Sequence, residues 1–209
     1  MRIACIVSEF PKLSETFILS QITGLIDRGH EVDIYAKRPN DARKVHADVA
    51  KYRLMERTYY YDVLYTLPRN KLRRLTRVAR CALRRGAMFP RAFLHGLDVR
   101  KHGRDALSMK EMYKALPFLE NGPYDIIMCH YGLRGKLGVY LKQIGATKAK
   151  VITMVHGYDV SSYVRRHGPD VYRTLFAHGD LFLHASGYMR DRLVNLGCDP
   201  SRTRLLRCG

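Results

Sequence analysis

Apolar positions along the chain follow two alternating rhythms. A short continuous run, MRIACIV (1–7), gives way after a polar stretch to apolar residues at helical spacing: Ile18, Ile22, Leu25 and Ile26. A run apolar on both faces suits a central parallel strand, and the i, i+4, i+7, i+8 pattern marks one face of a helix over 14–28. Gly29 closes that helix, as a residue tolerant of positive φ commonly does. EVDIYAK (31–37) follows at once as a second strand. Strand, helix and strand make a βαβ unit with a right-handed crossover, which places the two strands side by side.

The rhythm weakens in the middle. Residues 38–50 read as a loop with some helix, and RTYYYDVLY (57–65) reads either as a strand or as the start of a helix. Pro68 and Asn70 open a helix over 71–85, the stretch 86–103 is broken around Pro90, and 105–119 is helical again with Met109, Met112, Leu116 and Leu119 on one side. Regularity then returns, with strands at 124–130, 150–156, 181–186 and 203–209 and helices at 133–144, 170–177 and 188–196 between them. The expected fold is α/β, a doubly wound, mostly parallel sheet. It forms one Rossmann-like domain over 1–209, with a basic helical insertion over about 51–120.

Composition narrows the class. Of 209 residues, 46% are apolar, enough for a core. Cys5, Cys81, Cys129, Cys198 and Cys208 form no C-x-x-C pair and no metal-ligand spacing, which reads as reduced thiols in a cytoplasmic protein. The first apolar run stops at Ser8 and Glu9, at the bottom of the range for a signal-peptide core, and no stretch approaches the ~18 apolar residues of a membrane span. A soluble or peripheral protein is expected.

Charge changes the picture. Lys and Arg total 37 against 19 acids, a formal +18. Between Val63 and Leu97 there is no Asp or Glu, while Arg69, Lys71, Arg73, Arg74, Arg77, Arg80, Arg84, Arg85 and Arg91 all fall inside. Such a balance suits an anionic partner, whether nucleic acid, an acidic membrane surface or a phosphorylated substrate, or else a solvated surface alone. In the helix 71–85, Leu72, Leu75, Ala79, Ala82 and Leu83 lie along one side and Arg73, Arg77, Arg80 and Arg84 along another. It either packs the apolar side on the domain or lies in a bilayer interface with its arginines at lipid phosphates. No aromatic residues are interleaved with the arginines of this helix, which weighs against nucleic acid.

Ligands of such sheets bind outside the carboxyl ends of the strands. Three polar clusters fall there. After the first strand, SEFPKLSET (8–16) contains no glycine and so no dinucleotide fingerprint; Ser14 reads as an N-cap and Glu15 suits the positive end of the helix. Either these residues only cap, or the helix start faces a ligand, and Glu15 favours sugar hydroxyls over a bare phosphate. In HYGLRGK (130–136), Gly132 and Gly135 flank Arg134: a tight turn, or close backbone approach with Arg134 or Lys136 reaching an anion. In HGYD (156–159), His156 can donate to a substrate oxygen near neutral pH, Gly157 gives access, and Asp159 either joins the site or caps the turn toward Ser161 and Ser162.

SEFPKLSETFI (8–18), HGYDVS (156–161) and HASGYMRDRLVNLGCDPSRTRLLRCG (184–209) resemble the N-terminal half of retaining GT-B glycosyltransferases of family 4, of the bacterial colanic-acid and exopolysaccharide type. The resemblance implies a two-domain enzyme moving a sugar from a nucleotide diphosphate donor to a polysaccharide or lipid-linked acceptor, with retention and without metal or other cofactor. The N-terminal domain of that family mainly binds the acceptor. His156 falls on the histidine placed beside the transferred sugar, and Ser14, Glu15 and Thr16 fall on the loop lining the interdomain cleft. The second domain, with its nucleotide pocket and Glu-x7-Glu motif, has no counterpart in these residues. The resemblance therefore implies half an enzyme, inactive alone, acting at the inner face of the plasma membrane.

Overall fold

The computed structural model describes residues 1–40, 44–62, 67–96 and 110–207. Seven parallel strands form one sheet in the order β3-β2-β1-β4-β5-β6-β7. The strands are β1 Arg2–Phe10, β2 Glu31–Pro39, β3 Thr58–Tyr60, β4 Ile126–His130, β5 Lys150–Met154, β6 Leu181–His184 and β7 Thr203–Leu205. The chain winds outward from β1 in one direction, returns, and winds outward from β4 in the other. The order thus reverses between β1 and β4, which leaves a crevice at their carboxyl ends.

β1 is central because it is apolar on both sides. Ile3, Cys5 and Val7 pack under α1 (Thr16–Asp27), with Ile18 and Ile22 of that helix. Ala4 and Ile6 pack on the opposite layer with α5 (Lys110–Asn121) and α6 (Gly132–Gln143), whose Met112, Leu116, Val139 and Leu141 are buried. β1 runs three residues beyond the predicted strand. Glu9 and Phe10 continue its pairing with Arg38 and Pro39, where Phe10 is buried and Glu9 pairs with Arg38.

The ambiguous TYYYD stretch starts as a strand, with Thr58–Tyr60 extending the sheet beyond β2. The sheet holds the following helices from below. Tyr35 of β2 stacks on Phe118 of α5 at 4.0 Å, and its hydroxyl donates to the Pro117 carbonyl at 3.1 Å. The broken stretch after residue 85 contains α4 (Pro90–Gly96), and the predicted helical positions Asp105 and Met109 lie outside the described residues, as does Cys208. Between β2 and β3 lies a short α2 (Ala47–Lys51), whose Val49 is buried. After β5, the polar cluster is helical: a π-type turn over Asp159–Tyr163 leads into α7 (Val164–His167). α8 (Arg173–His178) and α9 (Gly187–Asn195) complete the layer. Cys5, Cys81, Cys129 and Cys198 are buried free thiols, and burial pushes Cys81 and Cys198 up to about 11 and Cys5 up to about 12.

α3 (Lys71–Arg85) has its predicted bounds but not its predicted rotation. Asn70 caps it, its side chain accepting from the Leu72 amide at 2.8 Å. The side that meets α5 is centred on Val78 and Cys81, both buried. Arg77 sets this rotation. Its guanidinium forks onto Glu120 of α5 at 2.8 and 2.6 Å and lies over the Tyr113 ring. Leu72, Leu75, Ala79 and Leu83 consequently face outward, and only Ala82 of the predicted apolar side is partly covered. Arg77 therefore leaves the free basic side, whereas Lys71, Arg73, Arg80 and Arg84 are exposed and Arg74 donates to the Pro68 carbonyl at 2.6 Å. Among the described residues no helix is long and apolar enough to cross a membrane.

Candidate active site at the carboxyl edge of the sheet

The crevice between β1 and β4 gathers the loop 11–15 after β1, His130 at the end of β4 with Tyr131 beyond it, and His156 after β5. Glu15, not Ser14, is the residue that precedes α1, and it makes no capping bond with its side chain. The Glu15 carboxylate is buried and turned across the crevice, accepting from Lys12 Nζ at 2.8 Å and from the Tyr131 hydroxyl at 3.2 Å. Ser14 and Thr16 are exposed beside it.

Tyr131 is held in an unusual way. Its φ of 73° is positive, a conformation that costs a bulky residue of order 1–3 kcal/mol and persists where the surroundings over-determine it. Its amide donates to the Met154 carbonyl at 2.9 Å, its hydroxyl reaches Glu15, and its ring lies 4.4 Å from that of His156. Phe17 of α1 closes on His156 from another side at 4.8 Å. His130, paired in register with Met154, stacks parallel to His156 at 5.8 Å.

These rings bury the imidazoles, and burial sets the protonation of both histidines. Burial lowers His156 to about 4 and His130 to about 3, the latter helped by the neighbouring His156. Both are neutral at pH 7, so His156 can offer an N–H but no positive charge. Both ring nitrogens of His130 and the Nε2 of His156 are buried without a hydrogen-bond partner. Buried polar atoms are rarely left so.

Asp159 does not cap toward Ser161 or Ser162. Its carboxylate is buried and accepts from the His156 amide at 2.9 Å, the Gly132 amide at 3.0 Å and the Tyr172 hydroxyl at 3.3 Å. It therefore ties the turn after β4 to the turn after β5 and fixes where His156 stands. Burial raises it to about 6, against the opposing pull of those hydrogen bonds. Gly157 is exposed and open at the rim. Gly132 and Gly135 serve packing between layers: a Cβ at Gly132 would lie 2.6 Å from the Tyr172 ring, and one at Gly135 2.5 Å from Thr153 Oγ1. Arg134 is half-buried and donates to the Tyr61 hydroxyl at 2.6 Å, while Lys136 is exposed.

Beside this cluster a cleft of about 330 Å³ runs along α1, lined by Phe17, Ser20, Gln21, Arg28, His130 and Leu206 among others. Sequence reasoning brought His156, Glu15 and the three loops to one edge but missed Phe17, His130 and Tyr131. His130 and Tyr131 sat inside the HYGLRGK cluster, where the glycines and the arginine drew attention, and a positive φ at a tyrosine leaves no mark in a sequence.

A doubly wound parallel sheet with a polar, aromatic-walled crevice at its switch point defines a Rossmann-like ligand-binding domain. Its architecture matches halves of GT-B enzymes: sucrose-phosphate synthase of Thermosynechococcus elongatus over 100% of this chain and 48% of that one, with TM-score 0.58 and 18% identity. Anabaena HepE, solved in complex with UDP and glucose, matches over 100% and 44%, with TM-score 0.56 and 12% identity. Residues 14–209 match the glycosyl transferase 4-like domain, and the chain belongs to that family. It is similar to the putative colanic acid biosynthesis glycosyltransferase WcaL of Salmonella typhimurium, at 32% identity over all of this chain and 50% of the relative. The amylovoran biosynthesis glycosyltransferase AmsK of Erwinia amylovora is 30% identical over 100% and 51%. The chain thus spans about half the length of the curated relatives it matches.

Proposed function

We propose that this domain is the acceptor-binding half of a glycosyltransferase that moves a sugar from a nucleotide diphosphate sugar onto a glycan or lipid-linked acceptor, with retention of configuration and without a metal ion. The observation that carries this reading is the convergence of three strand-end loops on neutral His156 beneath Phe17, Tyr131 and Glu15. Sugar transfer passes through a transition state with positive charge at the anomeric carbon. A protonated histidine there would repel that charge. A neutral imidazole instead donates an N–H to a hydroxyl of the transferred sugar, and a carboxylate such as Glu15 accepts from hydroxyls nearby.

Asp159 is a positioning residue in this reading, and the donor is held by the part of the protein that its relatives have beyond the matched half. Catalysis needs donor and acceptor held in one geometry, so residues 1–209 alone are expected not to turn over. A lipid-linked acceptor would set the domain at the inner face of a membrane. The test is sugar transfer by the glycosyltransferase that contains this domain, wild type against His156→Ala. Turnover is expected to fall by roughly 10²-fold or more, the scale of a lost transition-state donor, with the melting temperature nearly unchanged. Equal turnover by the two proteins, or an early-melting variant that is fully active when folded, overturns it.

A further inference from the structure

Leu72, Leu75 and Leu83 of α3 are 66%, 51% and 89% exposed. At i, i+3 and i+11 they share one stripe of the helix, opposite the side that packs on α5. Arg73, Arg80 and Arg84 border that stripe, all exposed, with no carboxylate within ion-pair distance among the described residues. The domain's own core does not account for this arrangement. Among the described residues, Val78, Cys81 and the Arg77–Glu120 pair fix the helix on α5, while its largest apolar residues face outward beside exposed arginines.

We propose that α3 is an interfacial anchor for an anionic lipid bilayer. The leucine stripe enters the boundary between headgroups and acyl chains, and the bordering arginines fork onto lipid phosphates. The charge selects this occupant over others. A second copy of a chain carrying +18 would be repelled, and no acid between residues 63 and 97 softens that repulsion. A nucleic acid would leave the leucines unmatched, and α3 has no aromatic side chain on which a base could stack. The inference rests on the acceptor reading above only in expecting a membrane nearby, and its test uses neither donor nor acceptor.

The test is co-sedimentation of the 209-residue chain with vesicles of phosphatidylglycerol and with vesicles of phosphatidylcholine. Binding to phosphatidylglycerol alone is expected, weakening as salt rises. Replacing Leu72, Leu75 and Leu83 together by Ser is expected to weaken it by about tenfold or more, the scale of lost apolar burial. Arg73→Gln, Arg80→Gln and Arg84→Gln together should do the same, at about fivefold per arginine. Circular dichroism checks that the variants fold, and Leu83→Ser alone, at the most exposed position, keeps the question open should the triple variant fail. Unchanged binding by folded leucine variants overturns the proposal. So does equal binding to both vesicle types, tighter binding to RNA than to phosphatidylglycerol at physiological salt, or a dimer that the leucine variants abolish. Failure of the unsubstituted chain to bind phosphatidylglycerol overturns this proposal and leaves the acceptor reading, which is tested separately by sugar transfer, standing.

Discussion

At the carboxyl edge of the sheet, charge is scarce and buried; along the outer side of α3 it is abundant and exposed. Burial shifts His130, His156 and Asp159; the histidines lie among rings, and Asp159 is tied to backbone amides. Around Leu83 the arginines are exposed, with little among the described residues to hold them. The difference separates two kinds of recognition. A buried site fixes the direction of each hydrogen bond and can tell one ligand geometry from another. An exposed amphipathic stripe supplies apolar area and attraction, which suits a surface without fixed geometry.

The contrast breaks first at Asp159. Replacing it by Ala leaves two buried amides without an acceptor, and we expect a loss of about 3 kcal/mol. For a domain of this size that is a fall in melting temperature on the order of 6–12 °C, read by calorimetry. A change within about 0.5 kcal/mol would mean that the clamp between the β4 and β5 turns contributes nothing to the fold.

Acid sharpens the comparison next. His130 and His156 are lowered in the fold, so their stabilising contribution is complete above the unfolded histidine value near 6.5 and is lost as pH falls toward about 4. Asp159 works in the opposite sense, since its folded value of about 6 exceeds the unfolded one and its contribution is lost as pH rises through 6. Two histidines outweigh one carboxylate, so melting temperature should fall from pH 6.5 to pH 5. Replacing both histidines by Gln should flatten that slope; an unchanged slope would place the acid sensitivity elsewhere.

How much of this was legible beforehand follows from what each feature depends on. The strands and the bounds of α3 came from local periodicity, and Thr58–Tyr60 stayed ambiguous because three residues are too few to show a period. The rotation of α3 was hidden. Its packed side is two modest residues, Val78 and Cys81, and an arginine that looks solvated until Glu120, 43 positions away, meets it. At the site, strand ends located the loops correctly, whereas the roles of His130, Tyr131 and Asp159 depend on neighbours from other strands that no spacing reveals.

Within α3 the same contrast recurs on a smaller scale. Arg77→Gln breaks the half-exposed fork with Glu120 and should destabilise by at most about 1 kcal/mol, against a change within about 0.5 kcal/mol for Arg80→Gln. Denaturant midpoints compare the two directly, and an equal response would remove Arg77 as the residue that sets the rotation. Smallest of all, Ser14→Ala and Thr16→Ala should each stay within about 0.5 kcal/mol, because neither side chain caps α1. A larger loss at Ser14 would restore it as the cap.

The claim on which the site depends is that His156, buried among rings, stands as a neutral donor. Nitrogen-15 NMR of the imidazoles in the 209-residue chain, titrated from pH 7 toward 4, reads that state directly, with His156→Gln assigning its signal. The account predicts that the His156 resonance remains that of a neutral ring at pH 5.5 and titrates near pH 4. A His156 that titrates near 6.5, the ordinary histidine value, contradicts it.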